Sequence, residues 1–306
     1  MTRPSATAGE EFTYPPAFCT QITVPDAASC AMTTPSIEWR PIATIAAKEC
    51  RDRIRNRWAL AVASVFTVFA LAIAYFGAAQ QGSVGLRSAD VTIASLVSLV
   101  IYLVPLIALM LGYDAIVGER ERGSLALLMS LPITRSELLL GKFAGLALAL
   151  TLATTIGFSI VGVLLAMRFG AVALVHYAGF VASAVGLGLA FLSISVLISV
   201  VAATRIGASG MAIVAWFGFV LVYDLVLLAL LVAFSSRLPS TVVPALLLAN
   251  PADAFRMVNI FGFADMARFY GLATVVPRSL ANPQVQAAAL VAWILVPLGL
   301  ATWRFR

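Results

Sequence analysis

Charged residues are scarce in this chain, at 11%, where a soluble domain carries roughly a quarter. Histidine occurs once, at His176, so a paired-histidine zinc site of the H-E-x-x-H kind is excluded. Cysteine occurs three times; ten residues separate Cys19 from Cys30, which fits no metal-ligand spacing, and Cys50 stands apart. A P-loop is missing too. Its nearest match, SELLLGKF, has Ser136 where the first glycine belongs and Phe143 after Lys142. No nucleotide site is encoded, so energy from ATP has to arrive through a partner. The net charge of +6 comes without any nucleic-acid motif, and no nucleic-acid partner is expected.

What the chain does have is hydrophobic length. It is 61% hydrophobic, with a mean hydropathy of +1.00. Crossing a hydrocarbon layer of about 30 Å takes roughly 20 apolar residues in a helix. Six stretches qualify: Trp58–Gly77, Val91–Gly112, Phe143–Met167, Ala178–Ala203, Met211–Phe234 and Val285–Trp303. Five carry no charge, and the fifth in order contains Asp224. Lipid offers no partner to a free N–H or C=O, so these stretches must be helices. The expected fold is an all-α membrane protein, one bundle of six transmembrane helices over residues 58–306.

Lysine and arginine in short loops orient such a bundle. With both chain ends inside, 14 of the 20 fall on the cytoplasmic side, which favours N-in, C-in topology. All three cysteines are then cytoplasmic and expected to stay reduced. Residues 1–36, rich in Thr, Pro, Ala and Ser, read as a disordered tail, and Met32 offers an alternative start. In 37–57, Ile42, Ile45, Ala46, Cys50 and Ile54 repeat at helical spacing opposite Lys48, Arg51, Arg55 and Arg57. This reads as an amphipathic helix in the membrane interface, or as an ordinary charged lead-in to the first span.

The stretch Gly118 to Lys142, GERERGSLALLMSLPITRSELLLGK, sits badly with its surroundings: it packs seven charges into 25 residues. GERERG extends the second span. SLALLMSLP reads as a short helix capped by Ser124, with Leu125, Leu128 and Met129 on one face and Pro132 as its stop. Thr134 to Glu137, TRSE, is a capping box that opens the third span, and Lys142 is expected at the headgroup level. Exposed leucines rimmed by charge mark a docking site, unless the loop rests on lipid.

The run PLIALMLGYDAIVGERERGSLALLMSLPITRSELLLGKFAG resembles the loop between the second and third helices of type-2 ABC exporter permeases. Glu119, Glu121, Gly123, Leu128, Pro132 and Lys142 hold the matching positions. The resemblance implies a type-2 ABC exporter permease fold, working as a homodimer with two cytoplasmic ABC ATPase subunits. Those partners would hold ATP and Mg, and no cofactor is expected on this chain. The expected ATPase-docking residues are Glu119, Arg120, Glu121, Arg122, Gly123, Leu125, Leu128 and Pro132. Three further stretches, IAAKECRDRIRNRW, YDLVLLALLV and LLLANPADAFRMVNIFGF, are similar to permeases of nitrous oxide reductase maturation systems. That narrower resemblance implies a periplasmic copper-handling partner and a role in copper-site assembly.

Residues 235–284 form the one large outside segment. Within it, Asn250 reads as an N-cap, Pro251 as the first helical residue and Asp253 as a first-turn acid. Ala254, Phe255, Val258 and Phe261 make an apolar face, which leaves Arg256 free to point at a partner. Asn250, Asp253 and Arg256 are the expected periplasmic partner-binding residues; a lid over the bundle fits the same pattern. Met257 and Met266 suit Cu(I) by chemistry, but nine positions apart without His or Cys they read as packing residues. Asp224, mid-span, should face the bundle interior with Ser193 at its level, either as an ion or proton site or as a polar clasp. Other readings are an exporter of another small molecule or ion, an ion-coupled secondary transporter resting on Asp224, and a structural anchor.

Overall fold

A computed structural model describes residues 39–76, 89–234, 242–261 and 283–305. The expectations for residues 1–36, Met266 and most of the 235–284 segment lie outside these. The described elements are all helical: α1 (Trp39–Arg55), α2 (Trp58–Phe76), α3 (Ala89–Gly112), α4 (Val117–Glu121), α5 (Ser124–Met129), α6 (Arg135–Phe169) and α7 (Ala171–Val201). They continue as α8 (Arg205–Phe217), a π-helical turn at Gly218–Val222, α9 (Tyr223–Phe234), α10 (Val242–Leu248), α11 (Pro251–Phe261) and α12 (Pro283–Phe305).

Among the described residues, six helices are long and apolar enough to cross a membrane, in the order expected. The third is longer than its apolar run. α6 begins at Arg135 and spans 35 residues, about 52 Å at 1.5 Å per residue, so its first turns project beyond a 30 Å hydrocarbon layer. Those turns form because Thr134 closes the capping box: its Oγ1 accepts from Glu137 N at 3.2 Å, and Glu137 Oε2 accepts from Thr134 N at 2.8 Å.

The bundle is organised around α6 and α7. α1 and α2 pack along α6, while α3 and α12 pack along α7. Lipid is as apolar as leucine, so these contacts are held by close fit rather than by escape from water. A run of aromatic rings shows that fit: Phe66 lies 5.3 Å from Phe158, Phe158 5.7 Å from Phe180, and Phe180 6.2 Å from Phe255. It joins α2, α6, α7 and α11, and makes α11 part of the core.

Part of the apolar face of α1 packs on α6, while Ile54 of that face stays exposed. Ile42, Ile45 and Ala46 face α6 where Gly141 and Gly145 let the two backbones approach; a Cβ on Gly145 would meet Ala46 O at 2.7 Å and Glu49 Cβ at 2.6 Å. The glycines of the fourth span contribute less: a Cβ on Gly179 meets nothing, while one on Gly188 touches Leu150 and Val104 at 3.1 Å. Gly145→Val is therefore expected to cost about 1–3 kcal/mol by forcing α1 off α6. Gly186→Ala, whose methyl meets Leu290 at 3.9 Å, is expected to be neutral or mildly stabilising. Thermal unfolding of both variants in one detergent checks the contrast.

Candidate coupling site

The two termini of the described chain and the 114–142 segment share one end of the bundle: Leu125 packs with Ile116, Leu139, Val196, Val200, Ala301 and Phe305. The chain turns sharply into α5 at Gly123, whose φ of +72° is the left-handed region that glycine enters without penalty. Gly123, not Ser124, is the N-cap residue, and no side chain caps α5. The Ser124 hydroxyl turns back to Glu119, donating to its carbonyl oxygen at 3.3 Å and to its carboxylate. α5 is too short to gain much from a cap, whereas Glu119 is a nearby charged acceptor.

The face shared by Leu125, Leu128 and Met129 is partly covered, and the outward leucines are Leu127 at 74% and Leu131 at 54% exposure. Leu128 is thus not the most exposed apolar residue of this helix. Leu125 belongs to the packed side. Gly123, Arg122 and Pro132 stay exposed next to the outward pair.

The charges are mostly engaged within the chain. Glu119 Oε1 lies 3.0 Å from Lys142 Nζ, which also reaches Glu49 of α1 at 3.3 Å; the Lys142 side chain is 8% exposed. Lys142, whose depth was expected at the headgroup level, is buried between two carboxylates. Arg120 donates to the carbonyls of Ala202 at 3.0 Å and Val200 at 3.2 Å, where α7 ends with unpaired acceptors and a negative dipole end. Glu121 Oε1 accepts from the Arg205 backbone N–H at 2.8 Å, at the positive start of α8. The Arg205 side chain pairs with Asp114 at 2.9 Å. Ser199 Oγ of α7 accepts from both Ile116 N and Val117 N, at 2.9 and 3.1 Å, which seats the start of α4.

A second polar cluster joins the middle of the fifth span to the start of α11. The π-turn at Gly218–Val222 displaces the usual backbone pairing, and the Phe219 carbonyl accepts from Asn250 Nδ2 at 2.8 Å. Asn250 also acts as expected at the start of α11, its Oδ1 accepting from Ala252 N at 3.0 Å. Tyr223 donates to the Leu246 carbonyl at 2.6 Å. Arg256 donates to Asp253 at 2.6 Å and to Asp224 at 3.0 Å.

Two expectations are corrected here. Ser193 does not reach Asp224; its hydroxyl donates to Leu189 O of its own helix at 3.0 Å, and Asp224 takes Arg256 instead. Arg256 does not point outward, because Asp253 and Asp224 draw it inward. Asn250 and Asp253 are buried to 0% exposure and hold α11 in place, so neither presents a surface to a partner. Burial pushes the Asp253 carboxyl up to about 6, with the Arg256 charge pulling the other way and Asp224 adding to the rise. Met257 is buried as a packing residue, and among the described residues no group of three His, Cys, Asp or Glu side chains is placed to hold a metal.

A family described as ABC-2 family transporter protein matches residues 43–306. The chain belongs to the ABC-2 transporter family. Two relatives are each described as a probable ABC transporter permease protein NosY. The one from Pseudomonas aeruginosa is 42% identical over 267 residues, covering 86% of this chain and 97% of that protein. The one from Stutzerimonas stutzeri is 43% identical over 271 residues, covering 86% and 96%. This ABC-2 chain is accordingly a multi-pass permease subunit of an ABC transporter, the subunit type that works with an ATPase partner.

In this permease Lys142 neutralises two carboxylates from different helices. Lys142→Met is expected to destabilise by about 3–5 kcal/mol, because two facing acids are left without their cation. Adding Glu49→Gln and Glu119→Gln should recover most of that loss. Urea titrations of the parent and both variants in detergent provide the measurement.

Proposed function

We propose that this permease couples ATP hydrolysis by cytoplasmic partners to copper-site assembly in nitrous oxide reductase outside the membrane. Two copies act together with two NosF-like ATPase subunits, which hold ATP and Mg, in the bacterial inner membrane. The orientation is N-in, C-in, from the lysine and arginine distribution. The observation that carries the reading is the 118–142 segment: it offers Leu127, Leu131 and Pro132 to a partner while its charges tie it to the ends of α6, α7 and α8. A push on that segment has rigid connections to three spans. The similarity to NosY permeases supports the copper reading.

The homodimer is supported by the fifth span, of which 6% of the apolar window is buried, against 28% to 67% for the other five. A NosD-like periplasmic copper-handling subunit is assigned to the 235–284 segment, through surfaces other than the buried Asn250 and Asp253. The pairing of Asp224 with Arg256 favours a polar clasp over a free proton-carrying carboxylate, and so weighs against an ion-coupled secondary transporter.

Leu127→Asp should abolish ATPase co-purification while membrane insertion stays normal, since it places an unpaired charge in an apolar contact. Full retention of the ATPase would move the docking surface elsewhere. A cysteine at Ser130 should resist an impermeant thiol reagent in intact cells; labelling there would reverse the orientation. Deleting the gene should leave nitrous oxide reductase produced but short of its copper–sulfur centre. Fully metallated, active reductase in that strain would remove the copper role and leave a generic exporter.

A further inference from the structure

Between α5 and the ends of α7 and α12 lies a cavity of about 440 Å³, within the size range of small-ligand sites. Three guanidinium groups border it, from Arg120, Arg135 and Arg304, and no acid is among its described lining residues. Leu125, Met129 and Phe305 give it an apolar side. The neighbouring acids are engaged by other groups: Glu119 by Lys142, Glu121 by the Arg205 backbone N–H, and Glu137 by its own capping box. Cations gathered around one cavity repel one another, and an anion between them relieves that repulsion.

The depth of the cavity indicates which anion is at hand. Arg120 donates to the carbonyls of Val200 and Ala202, so its guanidinium lies level with the end of α7. Arg135 donates to the Phe305 carbonyl at 3.5 Å, level with the end of α12, and Arg304 belongs to that last turn. The apolar runs of the fourth and sixth spans stop at Ala203 and Trp303, so all three cations lie where hydrocarbon gives way to headgroups. Trp303 is 71% exposed, and Val201, which borders the cavity, is 55% exposed. Large apolar side chains at a span end face lipid, and tryptophan favours that interface. The partner-facing side of α5 lies elsewhere. At about 100° per residue, Leu127 points away from Leu125 and Met129, each two positions from it on the cavity side.

We infer that this cavity binds the phosphate of an anionic phospholipid from the leaflet at the coupling end. Guanidinium forks match phosphate oxygens in pairs, which a point charge cannot do. The two carbonyls that Arg120 holds use two of its five donors and fix its plane, leaving the others for the ligand. A zwitterionic lipid brings a cation of its own to a site already rich in them, so the site discriminates by headgroup charge. Val201 and Trp303 lie on the lipid side, where the acyl chains leave. A lipid seated here touches α5, α7 and α12 together and refers the coupling segment to the bilayer surface. The site requires neither an ATPase nor copper, so it stands or falls separately from the proposed function.

The test uses the full-length permease purified in mild detergent, with native mass spectrometry counting retained lipid. Dioleoyl-phosphatidylglycerol is the probe and dioleoyl-phosphatidylcholine the zwitterionic control. The parent should retain one phosphatidylglycerol per chain and prefer it severalfold. Arg304→Gln and Arg135→Gln should each lose roughly tenfold in that retention, the scale of one charged hydrogen bond. Arg304→Lys, which keeps the charge without the fork, should fall between parent and Arg304→Gln. Arg51→Gln, an exposed cation of α1 outside the cavity, should leave the preference intact. Equal retention of the two lipids would overturn the site, as would an equal loss in Arg51→Gln, which would mean general charge attraction. A second arm follows thermal unfolding with phosphatidylglycerol or inorganic phosphate added. Stabilisation by inorganic phosphate as large as that by the lipid would make the ligand a free anion and end the lipid assignment. Displacement of the lipid by an added ATPase subunit, with loss of that subunit in Arg304→Gln, would give the cavity to the protein partner instead.

Discussion

The Lys142 ammonium, enclosed between Glu49 and Glu119, sets the terms for one whole end of this bundle. A buried cation must keep its counter-charges at contact distance or lose its solvation without recompense. Three helices are therefore held in register by one group: α6 carries the lysine, α1 and α4 carry the acids. The close approach of α1 at Gly141 and Gly145 brings Glu49 within reach. Ser124 then leans on the same Glu119, so the start of α5 is referred to the same point. The outward leucines are presented from a frame whose geometry is electrostatic before it is apolar.

The same economy runs through the neighbouring charges. Helix ends leave unpaired backbone groups and partial charges, and inside a membrane protein water is not at hand to satisfy all of them. Arg120 answers the carbonyl end of α7, and Glu121 answers the N–H end of α8. Within GERER, Arg120 and Glu121 thus match the two helix ends they face, while Glu119 meets Lys142. A charged segment in a hydrophobic chain follows from where its helices stop.

Local features were legible in the sequence because their partners lie close along the chain. The six spans follow from run length, the Thr134–Glu137 box from spacing, and the start of α11 from the order of Asn250, Pro251 and Asp253. The box, and not the apolar run, marks the start of α6, because an apolar run measures hydrocarbon thickness and not helix length. Arg256 was misread because helical phase assumes that a helix has a covered and an open face. The first turns of α11 are covered on all sides, and their polar groups are satisfied by one another and by Asp224. Ser193 was placed by depth alone, which says nothing about the direction a side chain takes around its helix. Lys142 and Glu49 lie 93 positions apart, and no periodicity links them. What escaped was pairing across the bundle, which depends on how helices are rotated against each other.

Rotation also gives the π-turn a meaning beyond the acceptor it exposes. Each residue added to a helix advances the following side chains by about 100° around its axis. The wider turn at Gly218–Val222 takes up extra chain and resets the angular phase of everything after it. α8 can therefore turn Ala208 and Ala212 toward its neighbours while α9 aims Asp224 at Arg256. A fifth span wound as one regular helix could satisfy one of these alignments but not both. The bulge acts as a splice between two helices of different orientation, so a single-residue deletion there would swing the acid away from its arginine without altering a single polar residue.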